Sequence, residues 1–439
     1  MKHLCRFLFC ALAFAFGQAP LLAEAGVILK MTCRAKGQEA ELCEAAIKEW
    51  ARKKKEETGT DVKVEIIKLP QSSSESYAFT QQLLGSQAED VDIYQVDTTW
   101  SVFLAPHVVP LNAHFSPEEM AAHFPVAIQS NTIQGNLVAI PWYADIDVLF
   151  YRLDVLEKRR AKPPTTWEEL AKTAQMIQDY ERRFDGNTRF CGYVFRGKSY
   201  EGLMCHVVEW IESFGGNVFS PGSLPQEDRV IEAFTFLSEL IPKVSPPGVL
   251  NYTEEEVRGV FQLGEAAFAH NWPYMWALAQ MSGSPVEGKV GITVLPRGKA
   301  DRESVSVLGG WGLCVSKYSK HQDLAVDLVR WLTRHEEQKR RAVKASYLPT
   351  IVTLYGDPEV LAKNPFFLPI SKALSTAIVR PAAFFGRLYP QVSAAVTSIA
   401  QSVLSKELTP AEGAKQLIQA VETFKQRAQS SPEDPSAAS

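Results

Sequence analysis

Beyond its first 25 residues the chain has no apolar run long enough to span a bilayer, so no later helix is expected to cross a membrane. Cysteine is sparse, seven in 439 residues, and none falls in a C-x-x-C or Cys/His metal spacing. Neither a zinc site nor a redox motif is expected, and no cofactor has a signature here. Positive charge is not in excess: 46 Lys and Arg stand against 50 Asp and Glu, a net charge of −4. That balance gives no reason to expect a nucleic acid as partner. The commoner catalytic signatures are missing too. No H-E-x-x-H, no G-x-x-x-x-G-K-[ST] phosphate loop and no G-x-S-x-G elbow occurs. Gly197-Lys198-Ser199-Tyr200-Glu201 comes nearest to the last and lacks the closing glycine. Carboxylates are numerous, so a glycosidase pair stays open on residue types.

What is present begins with a distinct leader. Lys2 and Arg6 form a short positive segment, Leu8 to Phe16 are apolar or small, and Ala23-Glu24-Ala25 fits an A-x-A cleavage site. Residues 1–25 read as a secretory signal peptide. Cleavage after Ala25 leaves five cysteines: Cys33, Cys43, Cys191, Cys205 and Cys314. An oxidising compartment permits bridges, and the odd count leaves at least one thiol unpaired.

The whole chain is 46% hydrophobic and 22% charged, an ordinary globular composition, and it is long enough for two or three domains. Strands are expected at Val27–Met31, Val62–Ile67 and Val91–Val96, with helices from Glu39 to Glu57 and Ser74 to Leu84 between them. That alternation implies βαβ units and a parallel sheet, with ligands beyond the carboxyl ends of strands. Gly37-Gln38-Glu39 and Asp97 fall at such ends. Thr166-Trp167-Glu168-Glu169 is a capping box opening a helix. A second βα block covers roughly 147–295, and a long helical stretch covers about 390–426. The chain passes between blocks near Tyr143–Asp147 and again near Leu295–Lys299. Residues 429–439 read as a disordered tail.

Aromatic rings gather at three places: Ala269 to Trp276, Leu308-Gly309-Gly310-Trp311-Gly312, and an aromatic and acidic turn at Pro141-Trp142-Tyr143-Ala144-Asp145. Trp and Tyr are often plain core residues. Three such segments beside Gly or Pro at strand ends favour a ligand cleft. His270 either lines that cleft or is structural, and His206 reads as a core or surface histidine.

In order, these segments resemble extracellular solute-binding proteins of ABC sugar importers, specifically the trehalose/maltose-binding branch. The resemblance runs from about Val27 to Lys425. It rests on Gly37-Gln38-Glu39, Asp92–Asp97 to Trp100, Tyr143-Ala144-Asp145, Tyr200-Glu201-Gly202, Asn271-Trp272-Pro273-Tyr274, Leu308–Trp311 and Arg380-Pro381. It implies a periplasmic-binding-protein fold: two α/β lobes joined by a hinge, with a ligand cleft between them. The implied bounds are 26–142 plus about 300–350 for one lobe, and 147–295 plus about 351–428 for the other. It also implies a monomer that binds a disaccharide, delivers it to membrane permease subunits and does no chemistry. Glu39, Asp97, Tyr143 and Asp145 match the acids and tyrosine that hold sugar hydroxyls. Trp272 and Tyr274 match the aromatic shelf, Gly309, Gly310 and Trp311 a Gly-Gly-Trp turn, Arg380 a basic clamp, and Tyr200 and Glu201 a second-lobe segment that lines the cleft.

The chemistry suits these roles. Sugars have apolar C–H faces and a rim of hydroxyls, so rings cover the faces and carboxylates accept from the rim. The resemblance further implies a Cys33–Cys43 disulfide, joining the end of the first strand to the first turn of the next helix; two buried thiols are the alternative. One departure stands out. Ser76 occupies a place where relatives carry Arg, which leaves the identity of the sugar open. A secreted carbohydrate-active enzyme, a binding protein that feeds a signalling receptor, and a binder of another polar solute are the rival readings.

Overall fold

The computed structural model describes residues 26–34, 37–220 and 222–430. The signal peptide lies outside them. Of the expected tail, Gln429 and Ser430 end the last helix and the rest lies outside the described residues.

Two sheets organise the chain. The first contains β1 (Val27–Arg34), β2 (Val62–Leu69), β3 (Ile93–Asp97), β4 (Ile140–Ile146), β9 (Val307–Val315) and β10 (Ile378–Val379). The second contains β5 (Val148–Arg152), β6 (Cys191–Val194), β7 (Ala266–Asn271) and β8 (Val290–Thr293). β1 runs parallel to β2 and β3, as βαβ units require. β9 is antiparallel to both β3 and β4, so the first sheet is mixed rather than parallel throughout.

Helices cover both sheets. α1 (Glu39–Thr58) turns Leu42, Ala46 and Trp50 inward at helical spacing and ends on Gly59 in the left-handed region. Trp167–Phe184 is opened by the expected capping box, Thr166 with Glu169. The expected 390–426 helix is two helices, Tyr389–Leu404 and Pro410–Ser430, separated at Ser405–Thr409.

A single residue, Asp147, joins β4 of the first sheet to β5 of the second. The chain returns between β8 and β9. A third crossing follows β10, because Ile378 and Val379 pair with Val307 and Leu308 of the first sheet. The helix Tyr389–Leu404 beyond it packs against α2, Glu201–Phe214, on the second-sheet side. The last crossing therefore falls at Arg380 rather than near residue 351.

Two expected turns are strands. Pro141–Asp145 runs inside β4, and Gly309-Gly310-Trp311 lies in the middle of β9. The two segments are neighbours: Gly309 faces Asp145, and Trp311 faces Tyr143 on one side and Asp97 on the other. Every residue of both strands is buried, so neither shows the alternation that marks a half-exposed strand.

Candidate functional site

The first-sheet strands put Asp97, Tyr143, Asp145 and Trp311 on neighbouring positions, and α1 presents Glu39 from its first turn. The second-sheet side supplies Trp272 and Tyr274 just past β7, and Glu201 at the start of α2. These residues line one cleft together with Gly309, Gly310 and Arg380. Tyr200 lies outside it and lines an adjoining chamber, while Glu201 faces both.

Glu39 is buried and held. Its Oε1 accepts from the Tyr143 hydroxyl at 2.7 Å and from Gln95 Nε2 at 2.5 Å, with the Arg341 guanidinium 3.8 Å away. Oε2 is buried and accepts from nothing among the described residues. Burial, and then the Glu39 carboxylate, push the Tyr143 phenol well above its ordinary range, so it stays a donor.

Arg380 bridges the two sides. It donates through Nη2 to Asp97 at 2.9 Å and through Nη1 to Glu201 at 2.7 Å. Asp97 also accepts from the backbone and hydroxyl of Thr99. Glu201 also accepts from Tyr389 at 2.5 Å and Ser393 at 2.6 Å. Both of its oxygens are thus taken by protein groups, which makes it a support for Arg380.

Each cleft indole carries a guanidinium over one face. Arg196 stands 4.3 Å from the Trp272 ring and Arg34 stands 4.2 Å from the Trp311 ring. Tyr274 donates to Glu255 at 2.6 Å and packs on Gly37. The glycines serve by their size. A Cβ on Gly309 would stand 3.1 Å from Trp272 Cη2, and one on Gly310, at φ +127°, would stand 2.6 Å from the Tyr143 carbonyl oxygen. With Trp272 against Gly309, only about 30 Å³ remains in this cleft, room for a water or two. A solute of several heavy atoms would not fit between the two sides as they stand.

Several lining residues carry no motif. Arg34, Ser73, Glu254 and Tyr347 face the cleft, with Gln95 behind them. Arg34 and Gln95 belong to β1 and β3, whose carboxyl ends are where a ligand is expected; that position was the one signal for them. Ser76 is not in the cleft. It is fully buried and donates to the Pro70 carbonyl at 2.8 Å, so its departure from Arg removes no present cleft contact. Ser73 and Ser74, one turn earlier, face the cleft and its adjoining chamber.

A buried ionic cluster stands behind Trp272 at the crossings. Arg196 donates to Asp147 Oδ2 and, at 3.1 Å, to His206 Nε2. Glu209 accepts from the Val307 N–H at 2.8 Å and lies 3.0 Å from His270 Nε2. His206 and His270 stack at 3.7 Å and 18°. Both are fully buried, so His270 is structural and His206 a core residue. Stacked rings share no in-plane point at bonding distance, and the guanidinium already meets Asp147, so the cluster is ill suited to chelate a metal. Burial, and then Arg196, hold both imidazoles well below the usual histidine range. Burial pushes Asp147 up to about 6 and Glu209 well up.

The two cysteines of the implied Cys33–Cys43 disulfide are thiols in this structure. All five cysteines among the described residues are buried thiols. Cys33 and Cys43 are neighbours. Contact with Cys43, and then burial, push the Cys33 thiol well up.

A family model described as bacterial extracellular solute-binding protein matches residues 49–367. A probable ABC transporter-binding protein of Deinococcus radiodurans is 43% identical over 395 residues, covering 89% of this chain and 92% of the relative. A probable amino-acid ABC transporter periplasmic-binding protein of Sinorhizobium fredii is 24% identical, with 84% of each chain covered. Among solved structures, maltose-bound T. maritima MalE3 superposes with a TM-score of 0.84 at 31% identity, covering 91% of this chain and 100% of that one.

Proposed function

The chain belongs to the bacterial extracellular solute-binding protein family, and from that premise we propose that it is the periplasmic component of an ABC importer for a neutral disaccharide. Trehalose, maltose or a related α-glucoside is the ligand, delivered to the membrane permease by a monomer without covalent chemistry. The observation that carries this reading is the convergence of Trp272, Tyr274 and Trp311 with Glu39, Asp97 and Asp145 on one cleft between two sheets. The likeness to a maltose-bound protein supports the same ligand class.

In this reading Trp272 stacks on a pyranose face, Glu39 Oε2 and Asp145 accept hydroxyl protons, and Arg380 sets the geometry of Asp97. The lobes close over the sugar as Trp272 approaches Gly309. Cleavage after Ala25 exposes Gly26 as the first mature residue. A thermal-shift screen tests the ligand class, because a solute bound only by the folded state raises apparent stability. Disaccharides should raise the melting temperature, and amino acids should not. A shift with amino acids alone would overturn the sugar reading.

Export also bears on the neighbouring thiols. Cys33 and Cys43 are proposed to close into a disulfide in the oxidising periplasm, before α1 packs on β1 and buries them. Thiol counting in denaturant on protein taken from the periplasm should then give three free thiols. Five would leave the pair reduced and contradict the bridge.

A further inference from the structure

Lys339, Arg340 and Arg341 are consecutive in the helix His335–Ala345, and the helical period sends them apart. Lys339 reaches Asp357 and Glu359, at 2.9 and 3.0 Å. Arg340 is tied to Glu337 by two bonds. Arg341 turns inward and is 1% exposed, on the face that also buries Gln338, Ala342 and Ala345. A charge on that face is costly unless something meets it. What meets it first is aromatic. Its guanidinium lies 4.0 Å from the Trp142 ring, 4.6 Å from Tyr347 and 5.2 Å from Tyr143. None of its three nitrogens donates to a group among the described residues. Among those residues Arg341 and Glu39 are each other's nearest opposite charge, 3.8 Å apart.

We propose that Arg341 is a positioning residue for the bound solute: its charge acts through space on Glu39, steadying the carboxylate while leaving Oε2 to accept from the ligand. The inference rests on the sugar-binding reading above and adds a residue that does not itself line the cleft. Arg380 shows the contrast. It bonds Glu201 directly, and both oxygens of that carboxylate are engaged by protein groups. Arg341 keeps its distance, and Glu39 accepts from Tyr143 and Gln95 through Oε1 alone. Opposite charges attract across such a gap in a low-dielectric interior without a hydrogen bond. The ring faces give the guanidinium a second attraction that uses no carboxylate oxygen. Tyr143 belongs to both arrangements, since its ring faces Arg341 and its hydroxyl donates to Glu39.

The test is a double-mutant cycle on the mature protein, with Arg341→Met, Glu39→Gln and the double variant. It is read by calorimetry with maltose and by urea denaturation without it. Arg341→Met should weaken maltose binding at least about tenfold beside Glu39, and less than about threefold beside Glu39→Gln, a coupling within the range for residues of one charged network. Arg341→Lys should regain most of the loss, because an ammonium also suits a cage of rings. The double variant should be more stable than Arg341→Met, since it leaves no orphaned carboxylate. An equal loss of affinity in both backgrounds would make Arg341 a packing residue and overturn the proposal. A folded Arg341→Met with unchanged affinity would overturn it too. Where Arg341→Met does not fold, the double variant decides: its folding shows the coupling, and its failure makes the arginine structural and overturns the proposal. A wild type that binds no maltose would overturn the glucoside reading, and the pairing would then stand or fall on the denaturation cycle alone.

Discussion

Replacing Arg380 by methionine is expected to abolish measurable sugar binding and to lower folding stability by about 3–5 kcal/mol, the cost of leaving buried charges without their partner. Arg380 is 4% exposed, and it is the shared counter-ion of Asp97 and Glu201. Methionine keeps most of the stem's packing and removes both charged bonds. Asp97 would keep only Thr99, and Glu201 only Tyr389 and Ser393. The residue also follows β10, where the chain makes its last crossing, so the loss falls on the hinge and the cleft together. Urea denaturation gives the stability change and calorimetry with maltose gives the binding change. A variant with unaltered stability and affinity would show that the two carboxylates do not depend on the guanidinium.

The second large effect is expected at Arg196. It has no exposed surface, its charge meets Asp147, and its face covers Trp272. Arg196→Met should lower stability by about 3–5 kcal/mol, because Asp147 would remain buried and unpaired. Asp147→Asn in the same background should recover part of that loss by removing the orphaned charge. The recovery is a coupling energy that independent sites would not show. Denaturation of both single variants and the double variant measures it. Strict additivity would mean that the pair contributes no interaction of its own. Maltose affinity should also fall in Arg196→Met, since the Trp272 ring loses the group behind it.

Much of the cleft was legible from short segments. Glu39, Asp97, Trp272 and Arg380 sit at element ends, where a residue type and its neighbours carry a signal in a few positions. The strands through Pro141–Asp145 and Leu308–Trp311 were not legible. Glycine and proline normally mark turns, and these strands are buried on both faces, so no period-2 pattern offset that signal. Gly310 is tolerated inside β9 because the Tyr143 carbonyl leaves no room for a side chain. The hinge cluster was invisible for another reason. Asp147 and Arg196 are 49 residues apart, and nothing local marks them as partners. Ser76 shows the opposite error: a position read as facing the ligand is turned into the core by one hydrogen bond to Pro70.

The most direct test of a sugar stacked on Trp272 is a parallel calorimetric titration of maltose into wild type and Trp272→Ala. Wild type should show saturable binding of one maltose per chain. The variant should remain folded and bind at least about thirtyfold more weakly, a loss of roughly 2 kcal/mol or more expected for an aromatic anchor. Equal affinity in the two proteins, or no binding of maltose to wild type, would contradict it.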